Sequence, residues 1–217
     1  MKKILFVVDE NRRGGVSVAL KDILLSVDAE KYDIDLLILH DQNEMLKDLP
    51  DNINVLYGTT FFDSIDYTLS QILKTKNIRL ILKKIRIIIG LKTGLIRFFI
   101  LNERRKILKE QLYDVEIAAK DGFPAVFSAF GNSKRKVHWL HSEYKENNSN
   151  SKYLWLFKKI MPQFDDIIAV SKGVEKQFNR IYHMESKTTV IRNLIMVDTI
   201  REKGSDSPVT VSSAPYM

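Results

Sequence analysis

Seven short apolar runs punctuate the chain, and most are separated by stretches of helical periodicity. The first, "KILFVVD" (Lys3 to Asp9), is apolar almost throughout and of strand length. A run of that kind suits a strand covered on both faces, as in a parallel sheet. Val16, Val18, Ala19, Ile23, Leu24 and Val27 then recur at the spacing of a helix. Further strands are predicted at "YDIDLLILH" (Tyr32 to His40), "NINVLYG" (Asn52 to Gly58), "DVEIAAK" (Asp114 to Lys120), "KVHWLH" (Lys136 to His141), "DDIIAVS" (Asp165 to Ser171) and "TTVIRNLI" (Thr188 to Ile195). Ile65 to Gln111 reads as largely helical, Ser151 to Met161 as a helix stopped at Pro162, and "KGVEKQFNRIY" as another helix. Strands alternating with helices specify βαβ units and a doubly wound, mostly parallel α/β sheet.

In such a sheet ligands sit beyond the carboxyl ends of the strands. That edge collects Asp9 to Gly15, His40, Lys120 to Phe123, His141 to Glu143, Ser171 with Lys172, and Arg192 with Asn193. Gly14 and Gly15 stand between the first strand and its helix. Either the turn needs a positive backbone angle, or a ligand phosphate must approach the backbone at the helix N-terminus. The patterns G-x-G-x-x-G and G-x-x-x-x-G-K-[ST] are both absent, which disfavours a nicotinamide dehydrogenase and a P-loop nucleotidase.

His141 ends a buried strand at the ligand edge, where an imidazole can do acid/base or hydrogen-bonding work; a plain loop histidine is the other reading. His138, His141 and Glu143 are too few for a zinc site, the two histidines point to opposite faces of a strand, and the chain has no cysteine. No metal is expected. Ser171 lacks the G-x-S-x-G elbow of a nucleophile, and a serine just before a helix is most often its N-cap. Lys172 beside it either meets an anion or is solvated.

Composition changes the picture in one place. The 217 residues are 45% hydrophobic and 28% charged, ordinary for a globular chain. With no cysteine there is no disulfide framework, which fits a reducing compartment. The opening apolar run stops at Asp9, too short for a signal peptide, and no uncharged apolar stretch approaches the roughly 18 residues of a membrane span. Net charge is +7, unevenly spread. From Lys74 to Lys109 stand 12 Lys and Arg; set against Glu103 and the adjoining Glu110, that element alone is +10 and the rest of the chain −3.

Arg79, Lys83, Arg86, Gly90, Thr93, Arg97 and Arg104 follow helical steps onto one expected face, with isoleucine and phenylalanine on others. A basic amphipathic helix suits an anionic membrane surface, and Arg79, Lys83, Lys84, Arg86, Lys92, Arg97, Arg104 and Arg105 are its candidate contacts. A core-packed helix with a solvated basic face is the alternative. No nucleic-acid recognition module is visible.

Four stretches, in order, resemble one family. "ILFVVDENRRGGVSVALKDI" resembles the opening of family 4 retaining glycosyltransferases of the GT-B fold. "VHWLHSEY" is similar to the family strand ending in histidine, "DDIIAVSKGVEKQF" to its D-x-I-x-x-V-S-x-x-x-x-x-x-F stretch, and "TTVIRNLIMVD" to the segment closing its N-terminal domain. The likeness covers about Lys3 to Asp198. It implies one Rossmann-like half of a two-domain enzyme, the acceptor-binding half, spanning residues 1–198 with a basic helical insertion at about 65–111. Residues 199–217 are then a tail or the truncated start of the donor-binding half.

The family's pair of glutamates eight positions apart belongs to that second half and is absent here. By the resemblance, His141 stabilises or orients the reacting sugar. Gly14, Gly15, Lys120, Ser142, Glu143, Ser171, Lys172, Arg192 and Asn193 border the substrates. The co-substrate is a nucleotide sugar without a metal, and the basic helix seats the enzyme on the cytoplasmic leaflet near a saccharide or lipid-linked acceptor. The chain alone is expected to be inactive. A non-catalytic membrane or partner-binding module, and a different sugar-phosphate enzyme such as an epimerase, are the competing readings.

Overall fold

The computed structural model describes residues 1–9, 14–40, 49–65, 67–142 and 154–194. Seven strands form one sheet: β1 (Lys2–Val8), β2 (Tyr32–Ile38), β3 (Ile53–Tyr57), β4 (Val115–Ala118), β5 (Arg135–Leu140), β6 (Asp166–Ala169) and β7 (Thr188–Val190). Their order is β3-β2-β1-β4-β5-β6-β7, and every pair is parallel. Phe6 of β1 stands between Leu36 and Ile117 of its two neighbours.

The chain runs outward from β1 through β2 to β3, then returns to build β4 to β7 on the other side. Right-handed crossovers in these two opposite directions place helices on opposite faces. Helix α1 (Gly15–Ser26) therefore buries Ala19, Leu20 and Leu24 against Phe6, Val8, Leu36 and Ile38. The other face of the sheet, with Leu5, Val7, Leu37, Ala118 and Ile167, packs on Phe127, Leu156, Val174 and Phe178 from later helices. Alternate residues of β1 thus enter two cores, which is why its sequence is apolar without alternation.

Those later helices are α5 (Phe123–Ala129), α6 (Leu154–Ile160) and α7 (Lys172–Tyr182). Helix α5 is absent from the sequence reading. Pro124 through Ala129 are all buried, so no polar face marks its period. Gly122, at φ 88°, turns the chain into it, and Pro124 occupies its first turn. Pro162 does not stop α6 outright; the helix continues into a 3-10 turn over Met161–Gln163. The last strand ends at Val190, five residues short of the expected Ile195.

The basic insertion is three helices, not one. Helix α2 (Leu69–Lys74) opens on a capping box between Thr68 and Gln71. Helix α3 (Ile78–Thr93) is capped by Asn77, whose side chain accepts from the Leu80 amide at 3.2 Å. Gly94, at φ 81°, ends it in the left-handed conformation, and α4 (Ile96–Leu108) folds back. At Gly90 a side chain would meet Phe99 at 3.0 Å and Ile96 at 3.1 Å, so its bare backbone lets the two helices close. The single basic face expected from Arg79 to Arg104 is therefore broken at the hairpin. No helix among the described residues is long and apolar enough to cross a membrane.

Arg104 is the clearest correction: its side chain is 7% exposed and faces the sheet. Its two guanidinium nitrogens donate to Glu116 at 2.6 and 2.9 Å, and Nη1 also donates to the Phe127 carbonyl at 2.9 Å. A cation at that depth needs such partners, so it cannot serve a membrane surface. Lys84 also turns inward, capping the Ser64 and Ile65 carbonyls at 2.9 and 3.0 Å, and Lys83 donates to Thr60. Arg79, Arg86, Lys92, Arg97 and Arg105 remain exposed.

Candidate functional site

The order of the sheet reverses at β1: α1, which connects β1 to β2, packs on one face, and the helices that follow β3 and β4 pack on the other. The carboxyl ends of β1 and β4 stand side by side there, the position where open α/β sheets take ligands. Lys120 bridges the two ends: its ammonium stands 3.1 Å from the Asp9 carboxylate. The predicted anion contact Lys120 is thus already engaged with a carboxylate at this edge.

Gly14 and Gly15 lie at the same edge, where α1 begins. Gly14 has φ −170° and ψ 167°, extended backbone open to any residue. Positive φ occurs in described glycines only at Gly94 and Gly122. A side chain built on Gly14 or Gly15 would find nothing within 4 Å. Neither backbone strain nor internal packing calls for this pair, so the turn-angle alternative loses its basis.

One strand further along, β5 presents two histidines on opposite sides. His138 is fully buried, stacked on Phe164 at 5.1 Å, and its Nε2 donates to the Asp121 carboxylate at 2.9 Å. His141 lies just past the strand end with its ring 4.1 Å from that of Trp139. Its Nε2 is enclosed and has no hydrogen-bond partner among the described residues. Burial lowers the His141 pKa to about 4; His138 adds to this and Asp121 opposes it. The ring is therefore neutral near pH 7, able to donate or accept one hydrogen bond but not to bring a positive charge. Asp121 also lies near Tyr182, whose phenol is pushed up to about 12, chiefly by burial.

Asp121 falls within the Lys120 to Phe123 stretch that the sequence places at this edge, but the sequence reading assigns it no role there. Its signal is an acid three residues past the end of β4 and directly before Gly122.

The remaining candidates lie progressively outward. Neighbouring strands are about 4.8 Å apart, so β5 is about 10 Å from β1, β6 about 14 Å and β7 about 19 Å. Ser171 caps α7, accepting from the Val174 amide at 3.2 Å, as a serine at that position should. Lys172 is exposed beside it. Arg192 is exposed beyond β7, and Asn193 Oδ1 is enclosed without a partner among the described residues. By strand position, Gly14, Gly15 and Lys120 stand at β1 and β4, His141 and exposed Ser142 at β5, and Ser171, Lys172, Arg192 and Asn193 at β6 and β7, farther out along the same edge. Glu143 lies outside the described residues, as do Asp198 and the tail from 199 to 217. Among the described residues, no group of three or more His, Cys, Asp or Glu could hold a metal ion.

A family model described as Glycosyltransferase Family 4 matches residues 13–199. Comparison with curated proteins finds no match. Among solved structures, Anabaena Alr3699/HepE in complex with UDP-glucose superposes with a TM-score of 0.55 at 15% identity, over 94% of this chain and 50% of that one. An E. coli trehalose-6-phosphate protein bound with UDP-2-fluoro glucose gives 0.58 at 13% identity, over 95% and 52%. The lipopolysaccharide outer core galactosyltransferase WaaB, in apo form, gives 0.51 at 14% identity, over 89% and 46%. At these identities the likeness is one of fold. The chain spans about half the length of the solved proteins it matches.

Proposed function

We propose that this chain, which belongs to glycosyltransferase family 4, supplies the acceptor-side half of a sugar transferase. Its seven-stranded parallel domain is one half of the GT-B architecture. The reaction moves a sugar from a nucleotide-sugar donor to a saccharide or lipid-linked acceptor, with retention at the anomeric carbon. HepE and the E. coli protein carry UDP-glucose or its 2-fluoro analogue, which makes a uridine nucleotide sugar the first donor to try.

The observation that carries this reading is the sheet edge beyond β1, β4 and β5 with its two kinds of open group. Gly14 and Gly15 leave backbone unobstructed at the N-terminus of α1, where a phosphate is favoured. His141 holds an enclosed, neutral, unpartnered nitrogen. A sugar hydroxyl placed there would be fixed by a hydrogen bond inside a low-dielectric wall formed in part by Trp139. Asp121, held by His138, is positioned to accept from a second hydroxyl. The donor's own site belongs to a further domain, so the 217-residue chain alone should release no nucleotide.

The same proposal places the protein on the cytoplasmic face of the cell membrane. The exposed cations Arg79, Arg86, Lys92, Arg97 and Arg105 support it, each worth roughly 1 kcal/mol near an anionic leaflet.

The test is turnover by a protein that joins this half to its donor half. Release of nucleoside diphosphate from UDP-glucose and other nucleotide sugars is measured with saccharide and lipid-phosphate acceptors, and NMR reads the product anomer. His141→Ala should lower kcat about 100-fold or more. An inverted product would overturn retention. Absence of turnover with every donor would favour the non-catalytic module.

A further inference from the structure

Helix α3 carries an apolar stripe on the side that faces away from the sheet. Ile78, Leu82, Ile85 and Ile89 follow steps of four, three and four, which align them on one face. They are 71%, 55%, 39% and 45% exposed. The core contact of the same helix is made by the opposite side, through buried Ile87 and Leu91. At the hairpin end Leu95 and Phe98 continue the exposed apolar surface, Phe98 at 69%. A ridge running about 17 Å from Ile78 to Ile89 is not the scattered exposure of an ordinary surface.

Charge says what can cover it. Arg79 and Arg86 sit one position past Ile78 and Ile85, and Lys92 lies one turn beyond Ile89; all three are exposed. Helix α3 itself carries no acid, and Glu103 on α4 is buried and held by Lys106 at 2.6 Å and by Thr59. The exposed carboxylates Asp63 and Glu110 lie outside α3 and α4. The ridge is therefore bordered along its own helix by cations alone. A second copy would bring the same +10 element against itself. A sheet of anionic headgroups over hydrocarbon satisfies both the cations and the isoleucines.

We propose that α3 lies flat in the interface of an anionic lipid bilayer, with Ile78, Leu82, Ile85 and Ile89 in the acyl boundary and Arg79, Arg86 and Lys92 at headgroup phosphates. The inference rests on the membrane seating proposed above. It adds that the bound state is set by apolar insertion and not by charge alone, as for helices buried about 5–10 Å into the interface.

Flotation of the 217-residue chain with phosphatidylcholine vesicles, with and without phosphatidylglycerol, tests it. The chain should bind the anionic vesicles. Ile85→Gln with Ile89→Gln should cut the partition coefficient about tenfold or more while circular dichroism and melting temperature hold. Arg79→Gln with Arg86→Gln should cut it by about the same factor in low salt. Leu82→Trp should shift its emission to the blue on the vesicles. If the isoleucine variant binds like the parent while the arginine variant does not, insertion is overturned and the electrostatic seating stands. If the parent chain ignores anionic vesicles, the seating fails and the insertion with it. A dimer by light scattering that the isoleucine variant dissolves would overturn the lipid assignment in favour of a second copy.

Discussion

Replacing Arg104 by methionine separates the two roles that its position allows. A solvated arginine on a membrane-facing helix contributes almost nothing to folding. The structure assigns it the opposite: a side chain 7% exposed, paired through both guanidinium nitrogens with Glu116, which is itself fully buried. Ser133 donates to the same carboxylate at 2.7 Å, and the guanidinium lies 4.4 Å from the Phe127 ring. Arg104→Met leaves the Glu116 carboxylate buried with a hydroxyl and no counter-charge. Breaking a buried pair from one side costs about 3–5 kcal/mol. With a urea m-value of roughly 3 kcal/mol/M for a chain of this size, the midpoint should fall by roughly 1–2 M. Glu116→Leu alone should cost about as much. The double variant should recover much of the loss, because two apolar groups need no partners. Urea unfolding followed by circular dichroism, run as a double-mutant cycle, gives the coupling directly. A midpoint within about 0.3 M of the parent for Arg104→Met, the scale of a surface substitution, would refute the assignment and return Arg104 to the exposed basic face.

The depressed pKa of His141 has a sign that can be checked. Below about 6.5 the unfolded chain takes up a proton that the folded chain refuses until about 4, so stability should fall as pH drops through that window, and His141→Gln should flatten the slope. The imidazole C–H resonances should titrate near 4; a midpoint near 6.5 would remove the neutral, enclosed nitrogen from the site. Gly15→Ala adds a methyl into open space at a helix start, so it should leave melting unchanged or raise stability by about 0.4–1 kcal/mol. If turnover in the two-domain protein nevertheless falls, the backbone there meets substrate; unchanged turnover would leave the glycines without a ligand. Gly58→Ala is the contrasting case, because its methyl would fall 2.0 Å from the Leu39 carbonyl, backbone that cannot move aside. It should cost about 2–3 kcal/mol in the same urea assay, and a neutral result would refute the close approach of Gly58 to the Leu39 backbone.

Local periodicity was enough to determine the parallel sheet. Residues such as Leu5 to Val8 or Leu36 to Ile38 are apolar at consecutive positions because both faces of their strands are covered, and nothing outside the run is needed to see it. The ends of the first six strands followed from the same runs to within two residues, though that of β7 did not, and so did the placing of Gly14, Gly15 and His141 at one edge. Where periodicity disappears, the reading failed: Pro124 to Ala129 are buried all round, and α5 left no polar stripe to find. Periodicity also cannot say which of two apolar faces is the inner one. Helix α3 has isoleucine on both, and only packing against its helical neighbours and the core decides that Ile87 and Leu91 go in while Ile78, Leu82, Ile85 and Ile89 stay out. The break at Gly94 turned one expected basic face into two helices, and folding α4 back carried Arg104 to Glu116. Charge along a chain is a sum over residues, whereas the charge a surface presents depends on which of them the fold has neutralised inside. The protonation of His141 has the same origin, since an imidazole's pKa is set by how much water and which neighbours the tertiary structure leaves around it.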